Sequence, residues 1–147
     1  RLKALGCVIG GFQAAVHSTV FKGSGLSSSA AFEVMLVAAF DALYNGWKVD
    51  PKENARISQY AENVYFGKPC GLMDQMASAV GNLVNIDFFD KENPVIHPVT
   101  FAFASCGHAL CIIDSGADHA DLTDEYAAVP QEMKQVAQFL GKEGDCA

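Results

Sequence analysis

The sequence predicts a chain of mixed helices and short strands. Three observations lead there. A nearly all-apolar stretch, Ala30 to Leu43, follows a glycine–serine loop; a well-capped amphipathic segment runs from Asp50 to Gly67; and three short strand-like runs follow at Asn82–Phe89, Val95–Phe103 and His108–Asp114.

Taken in order, Gly10-Gly11 is a turn signal. Gly11 to Val20 then alternates loosely, with Phe12, Ala14, Val16, Ser18 and Val20 on one side, as a half-buried strand would. Lys22-Gly23-Ser24-Gly25-Leu26-Ser27-Ser28-Ser29 combines two glycines that free the backbone with a serine run that offers helix caps. The helix behind it is apolar almost all round, which calls for burial on most sides. In the next helix Asp50 is the expected N-cap, Pro51 the first helical residue and Glu53 the partner in a capping box. Ile57, Tyr60, Ala61 and Val64 fall on one face, with Glu62 at its edge, and Gly67 and Pro69 stop the helix.

Gly71 to Ser78 reads as a loop turning into a short helix with Asp74 in its first turn. Among the strand-like runs, Ala109-Leu110-Cys111-Ile112-Ile113 suits a buried strand. A polar loop, Ser115 to Tyr126, leads to a last helix from Pro130, with Met133, Val136, Ala137 and Leu140 as its apolar face and Gly141 as its end.

The composition narrows the function. The 147 residues carry 10 Lys+Arg against 17 Asp+Glu, a net charge of −7, and half of them are hydrophobic. An acidic chain is a poor nucleic-acid coat, although backbone amides can still hold a small phosphate ligand. No uncharged apolar window reaches membrane-spanning length. Cys7, Cys70, Cys106, Cys111 and Cys146 form no C-x-x-C pair, so reduced thiols in a cytoplasm are expected rather than a disulfide framework or a zinc site. The opening Arg1-Leu2-Lys3 reads as the start of a piece cut from a longer protein.

The glycine–serine loop is the strongest chemical signal. A flexible loop feeding a buried helix directs several N–H groups and the positive end of the helix dipole at one place, where phosphate oxygens fit. Neither the Walker pattern nor the dinucleotide fingerprint matches, because no Lys follows the second glycine and Ser28 stands where a third glycine belongs. A serine-rich cap with no ligand satisfies the same pattern. Asp74, ionised in the first turn of a helix, can orient a hydroxyl or take its proton; a simple capping aspartate is the alternative. Glu62 can share Mg²⁺ with a hydroxyl such as that of Ser29, or be an ordinary solvated glutamate. Asp114, Asp118, Asp121, Asp124, Glu125 and His119 cluster in sequence, and a solvated loop of caps and turns explains them. His17, His97 and His108 sit in strand-like contexts and read as structural.

Three segments together carry a resemblance. Lys22-Gly-Ser-Gly-Leu-Ser-Ser-Ser-Ala-Ala-Phe-Glu33 resembles the second signature of the GHMP kinases. Ala61-Glu-Asn-Val-Tyr-Phe-Gly-Lys-Pro-Cys-Gly-Leu-Met-Asp-Gln75 is similar to the catalytic-aspartate segment of the galactokinase branch. Asp114-Ser-Gly-Ala-Asp-His-Ala-Asp-Leu-Thr-Asp-Glu-Tyr-Ala-Ala-Val-Pro130 resembles a bacterial galactokinase stretch that follows it. The departures are Phe21, where many relatives have Pro, and Ala117-Asp118, where Gly-Asn is more usual.

The resemblance implies a two-lobed α+β fold, with residues 1–104 the latter part of an N-terminal domain and 105–147 the beginning of a C-terminal one. It implies ATP and Mg²⁺ as cofactors and galactose as substrate, phosphorylated at its anomeric hydroxyl. Gly23, Ser24, Gly25, Leu26, Ser27, Ser28 and Ser29 would wrap the phosphates. Ser29 and Glu62 would hold the metal, Asp74 would act on the sugar hydroxyl, and Gly71 and Tyr126 would contact the sugar. A related kinase acting on mevalonate or homoserine, or a non-catalytic galactose- and ATP-binding regulator, is the alternative. Galactokinases also carry an N-terminal Arg, Glu, Asp and His set and a C-terminal glycine-rich signature, and neither is present in these 147 residues. The segment alone is accordingly expected to have little activity, and its uncovered edges to favour self-association.

Overall fold

The computed structural model describes residues 1–20, 24–113 and 123–141. Three helices form its centre: α1 (Ser28–Tyr44), α2 (Pro51–Tyr60) and α3 (Met73–Val80), each packed on the other two. Beside α3 lies an antiparallel pair, β1 (Leu83–Asp87) and β2 (Val95–Val99), in the register Leu83↔Val99, Asn85↔His97, Asp87↔Val95. A further helix, α4 (Thr123–Phe139), follows. Helices with a small separate sheet make the chain α+β, as expected.

Helix α1 buries one stripe, Ala30, Val34, Val37 and Asp41, rather than most of its surface. Phe32, Met35 and Leu43 remain exposed, because α2 and α3 cover a single side. The buried aspartate has a structural purpose. Asp41 Oδ1 accepts the Lys48 N–H and Oδ2 the Val49 N–H, each at 3.0 Å, so its carboxylate fastens the α1–α2 connection.

At the start of α2, Asp50 accepts the Glu53 N–H at 3.0 Å and Pro51 takes the first helical position. The reciprocal half of the capping box is replaced: the Glu53 carboxylate lies 3.6 Å from Arg56. The core face also differs from the apolar count. Asn54, Ala55, Ile57 and Ser58 are buried, whereas Tyr60 and Val64 are exposed. The buried polar pair is satisfied internally. Asn54 Nδ2 donates to the Val34 carbonyl at 3.2 Å and Ser58 Oγ donates to the Asn54 carbonyl at 3.0 Å. Polar residues that find partners inside can occupy a core position that a hydrophobicity pattern assigns elsewhere. After Tyr60 the helix widens into a π-turn, Ala61–Tyr65, closed by the Phe66 N–H on the Ala61 carbonyl at 3.2 Å. The extra residue per turn shifts the phase of everything after it.

Two expected strands do not form. Residues 11–20 are irregular, and 108–113 carry no ladder. Of the run Val95–Phe103 only Val95–Val99 pairs, and Phe103–Cys106 closes into a 3-10 turn. Alternation prepares a strand, but pairing needs a free neighbouring edge, and among the described residues none reaches these segments. The last helix begins at Thr123 instead of Pro130, placing Asp124 and Glu125 at its positive end. Pro130 then lies inside it and removes one backbone donor. Of its expected apolar face only Ala137 is buried. Among the described residues no helix is long and apolar enough to cross a membrane, and Cys7, Cys70, Cys106 and Cys111 are free thiols. His17, His97 and His108 are exposed.

The N-terminal segment is tied to the end of α1. Asn45 accepts the Val8 N–H at 2.7 Å and donates to the Val8 carbonyl at 2.9 Å, while Tyr44 Oη donates to the Gly11 carbonyl at 2.6 Å. A Cβ on Gly10 would come within 2.6 Å of the Tyr44 ring. Gly10→Ala is expected to push the ring off Gly11 and destabilise the chain by about 1 kcal/mol. Hydrogen exchange should show the loss of protection confined to the N-terminal segment.

Candidate functional site

The loop before α1 turns through two left-handed residues, Gly25 (φ 71°) and Ser27 (φ 55°, ψ 49°). Glycine adopts this conformation freely and serine at a cost, so Ser27 is held there by its surroundings. Ser27 is the N-cap residue, yet no side chain caps α1. Ser27 thus offers no side-chain acceptor to the first amides of the helix, which lie at the positive end of its dipole. Gly23 lies outside the described residues, so the described cradle runs from Ser24 to Ser29.

The Ser27 hydroxyl instead donates to Asp74 Oδ2 at 2.6 Å. Asp74 is exposed in the first turn of α3 and caps nothing, since Leu72 is the N-cap residue there and no side chain caps the helix. The packing of α3 against α1 thus brings together two groups 47 residues apart in sequence. The glycine–serine loop and the carboxylate share one edge of the molecule. Gly71 is exposed three positions before Asp74. Tyr126 falls within α4, and its side chain lies outside the described residues, as does the acidic stretch from Asp114 to Asp121 with His119.

Behind the loop lies a buried polar cluster. Glu62, 4% exposed, accepts from Ser29 Oγ at 3.1 Å and Lys68 Nζ at 3.2 Å on Oε1, and from Gln75 Nε2 at 2.9 Å on Oε2. It is therefore an integrated carboxylate and not a solvated one. The π-turn that carries it supplies the rotation that aims it at α1. Glu33 Oε2 and Gln75 Oε1 are buried without a partner. Glu62 Oε1 is thus already shared by a hydroxyl and an ammonium, and a cation at this oxygen would have to displace Lys68, which is half exposed. Among the described residues, no group of three or more His, Cys, Asp or Glu side chains forms a metal cage. Mg²⁺ here would depend on phosphate oxygens for the rest of its shell.

Burial, and then the charge of Glu62, push the Glu33 carboxyl up to about 7, with Lys68 acting in the opposite sense. Burial also pushes the Cys70 thiol up to about 11, so Cys70 stays protonated and unreactive at neutral pH. Glu33, Lys68 and Gln75 were not among the residues singled out from sequence. Two signals were present, since Glu33 lies one helical turn after Ser29 and Gln75 adjoins Asp74. Nothing in the local pattern of Lys68 marks it.

The Glu33 shift has a stability consequence. Its folded-state value lies above the unfolded one, so its favourable contribution is complete below about 4.5 and is lost as pH rises through about 7. Glu33→Gln is therefore expected to leave the melting temperature little changed near pH 4 and to raise it relative to wild type at pH 8. Paired thermal melts across that range check the sign.

Comparison with known proteins agrees with this geometry. Residues 1–82 match the GHMP kinases N terminal domain. The galactokinase of Streptomyces coelicolor is 36% identical over 144 residues, covering 95% of this chain and 36% of that protein. The galactokinase of Mycobacterium tuberculosis is 35% identical over 140 residues, 95% of this chain and 38% of that one. The galactokinase of Pyrococcus furiosus is 31% identical over 138 residues, with 94% and 38% covered. The chain thus spans little more than a third of the length of these curated relatives. No solved structure gives a significant match. With a domain match across more than half its length, coinciding with the loop, α1 and the segment bearing Asp74, the chain belongs to the GHMP kinase family.

Proposed function

We propose that the protein carrying this segment transfers the γ-phosphoryl group of ATP to the anomeric hydroxyl of galactose, giving galactose 1-phosphate and ADP. The observation that carries the reading is the 2.6 Å contact between the uncapped phosphate loop and Asp74. Phosphoryl transfer needs in-line positioning and charge neutralisation more than covalent assistance. The amides at the start of α1, with Ser24, Gly25 and Leu26 before them and Gly23 in sequence, take the phosphate tail. Asp74 orients the attacking hydroxyl and accepts its proton. Ser29 and Glu62 would hold Mg²⁺, which when bound would neutralise phosphate charge. Gly71, close to Asp74 in sequence, and Tyr126 complete the sugar side.

The names of the relatives support galactose over mevalonate or homoserine, and the intact loop and Asp74 support an enzyme over a regulator. On this reading residues 1–104 belong to the first lobe of a two-lobed kinase and 105–147 to the start of the second. Free thiols and the use of ATP support a cytoplasmic setting. The test is a substrate panel on the whole gene product: galactose, mevalonate and homoserine, each with MgATP, followed by ADP release and phosphorus NMR of the product. Galactose 1-phosphate is expected. Turnover of another alcohol without turnover of galactose, or no turnover of any, overturns the reading.

A further inference from the structure

We infer that Ser27 is the positioning residue for Asp74, so that the loop that binds phosphate also sets the orientation of the carboxylate that meets the acceptor hydroxyl. The inference rests on the proposed role of Asp74 and goes beyond it.

Three features carry it. First, the Ser27 hydroxyl is spent on Asp74. An N-cap serine ordinarily turns its oxygen to the second or third amide of its own helix. Here it caps nothing and donates across to α3 at 2.6 Å, the short distance of a charge-assisted bond. Second, the backbone at Ser27 is left-handed, and this is the conformation in which the side chain leaves its own helix. A non-glycine residue kept in that region at a functional loop is over-determined by its surroundings. Third, the bond uses only one carboxylate oxygen. Among the described residues, no hydrogen bond is made to Asp74 Oδ1, which leaves it for a substrate hydroxyl, and the side chain is exposed on that edge. Asp74 has two freely rotating side-chain torsions, and a carboxylate tethered at one oxygen presents the other in a narrower range of directions. Displacements near 1 Å at a reacting group are enough to matter for rate. Because Ser27 is also the residue from which α1 starts, a phosphate seated on the loop and a hydroxyl seated on Asp74 are aligned through a single side chain.

The test is kinetic and uses the whole gene product in four forms: Ser27→Ala, Ser27→Gly, Asp74→Asn and the double variant Ser27→Ala/Asp74→Asn. Ser27→Gly removes the hydroxyl but relaxes the backbone, so it keeps the loop where Ser27→Ala strains it. Both single Ser27 variants are expected to lower kcat about 10- to 100-fold. The affinity for ATP, measured by calorimetry, should change by less than about threefold, because the loop amides remain. The double variant should be no slower than Asp74→Asn alone, since a residue that acts through another has nothing left to position. Wild-type kcat in Ser27→Gly, or lost ATP affinity with unchanged kcat, assigns Ser27 to loop structure or to phosphate binding and overturns the inference. So does a full additive loss in the double variant. If Asp74→Asn itself keeps its turnover, the fault lies in the proposed role of Asp74.

Discussion

Replacing Asp74 with Asn is expected to lower kcat by about 10²- to 10⁴-fold, the range over which a positioned proton acceptor contributes. The substitution is close to isosteric. The side-chain oxygen of Asn can still accept the Ser27 hydroxyl, so the loop and α3 should stay in place. Asp74 is exposed, and a surface change of this kind moves stability by no more than about 0.5 kcal/mol. The nucleotide should bind as well as before or slightly better, because a negative charge has been removed beside its phosphates. Fold, melting temperature and ATP affinity are thus expected to be preserved while turnover collapses. That combination separates a reacting group from a structural one. A variant that keeps kcat within tenfold of wild type shows that Asp74 does not handle the proton.

Glu62→Ala is expected to act first on stability. The buried carboxylate is the common acceptor for Ser29, Lys68 and Gln75, and its removal orphans the amide of Gln75, which is buried away from water, whereas Ser29 is exposed. Lys68 is half exposed and can turn outward to solvent, which limits its share of the loss. Removing one member of such a cluster should destabilise the chain by about 2–4 kcal/mol. For a domain of this size that lowers the melting temperature by on the order of 5–15 °C. Glu62→Gln keeps the volume and most of the hydrogen bonds, and should recover much of the stability without restoring the charge. Both variants carry a second signature. The charge of Glu62 is one of the causes that raise Glu33, so without it the Glu33 midpoint should fall below about 7, with burial still holding it above the ordinary value of 4.5. Carboxyl titration by NMR in Glu62→Gln reads this directly. An unmoved Glu33 midpoint shows that the two carboxyls do not face a common space.

Much of the helical framework is legible locally. The Asp50-Pro51 start of α2, the glycine end after α4, and the turn of Gly71–Ser78 into a helix all follow from short-range rules that involve neighbours in the chain. The β1–β2 pair is close in sequence and equally readable. Failures come where the deciding partner is distant. The alternation in residues 11–20 anticipates a strand, and no free edge meets it. The core face of α2 goes to Asn54 and Ser58 because Val34, on another helix, offers a carbonyl. Pro130 suggests a helix start, whereas the acidic residues ahead of it favour beginning at Thr123.

The site divides along the same line. By itself the sequence determined that there is an amide-rich loop ahead of an apolar helix and an aspartate in the first turn of another, because both are properties of contiguous residues. Only the tertiary structure decided that Ser27 reaches Asp74, that Glu62 is buried rather than solvated, that Gln75 is buried beside it and that one oxygen of Glu33 is cut off from solvent. Those facts depend on how α1, α2 and α3 cross, and on a π-turn that rotates Glu62 inward. Contacts between residues 33 or 47 positions apart are set by packing in three dimensions, and no one-dimensional periodicity encodes them.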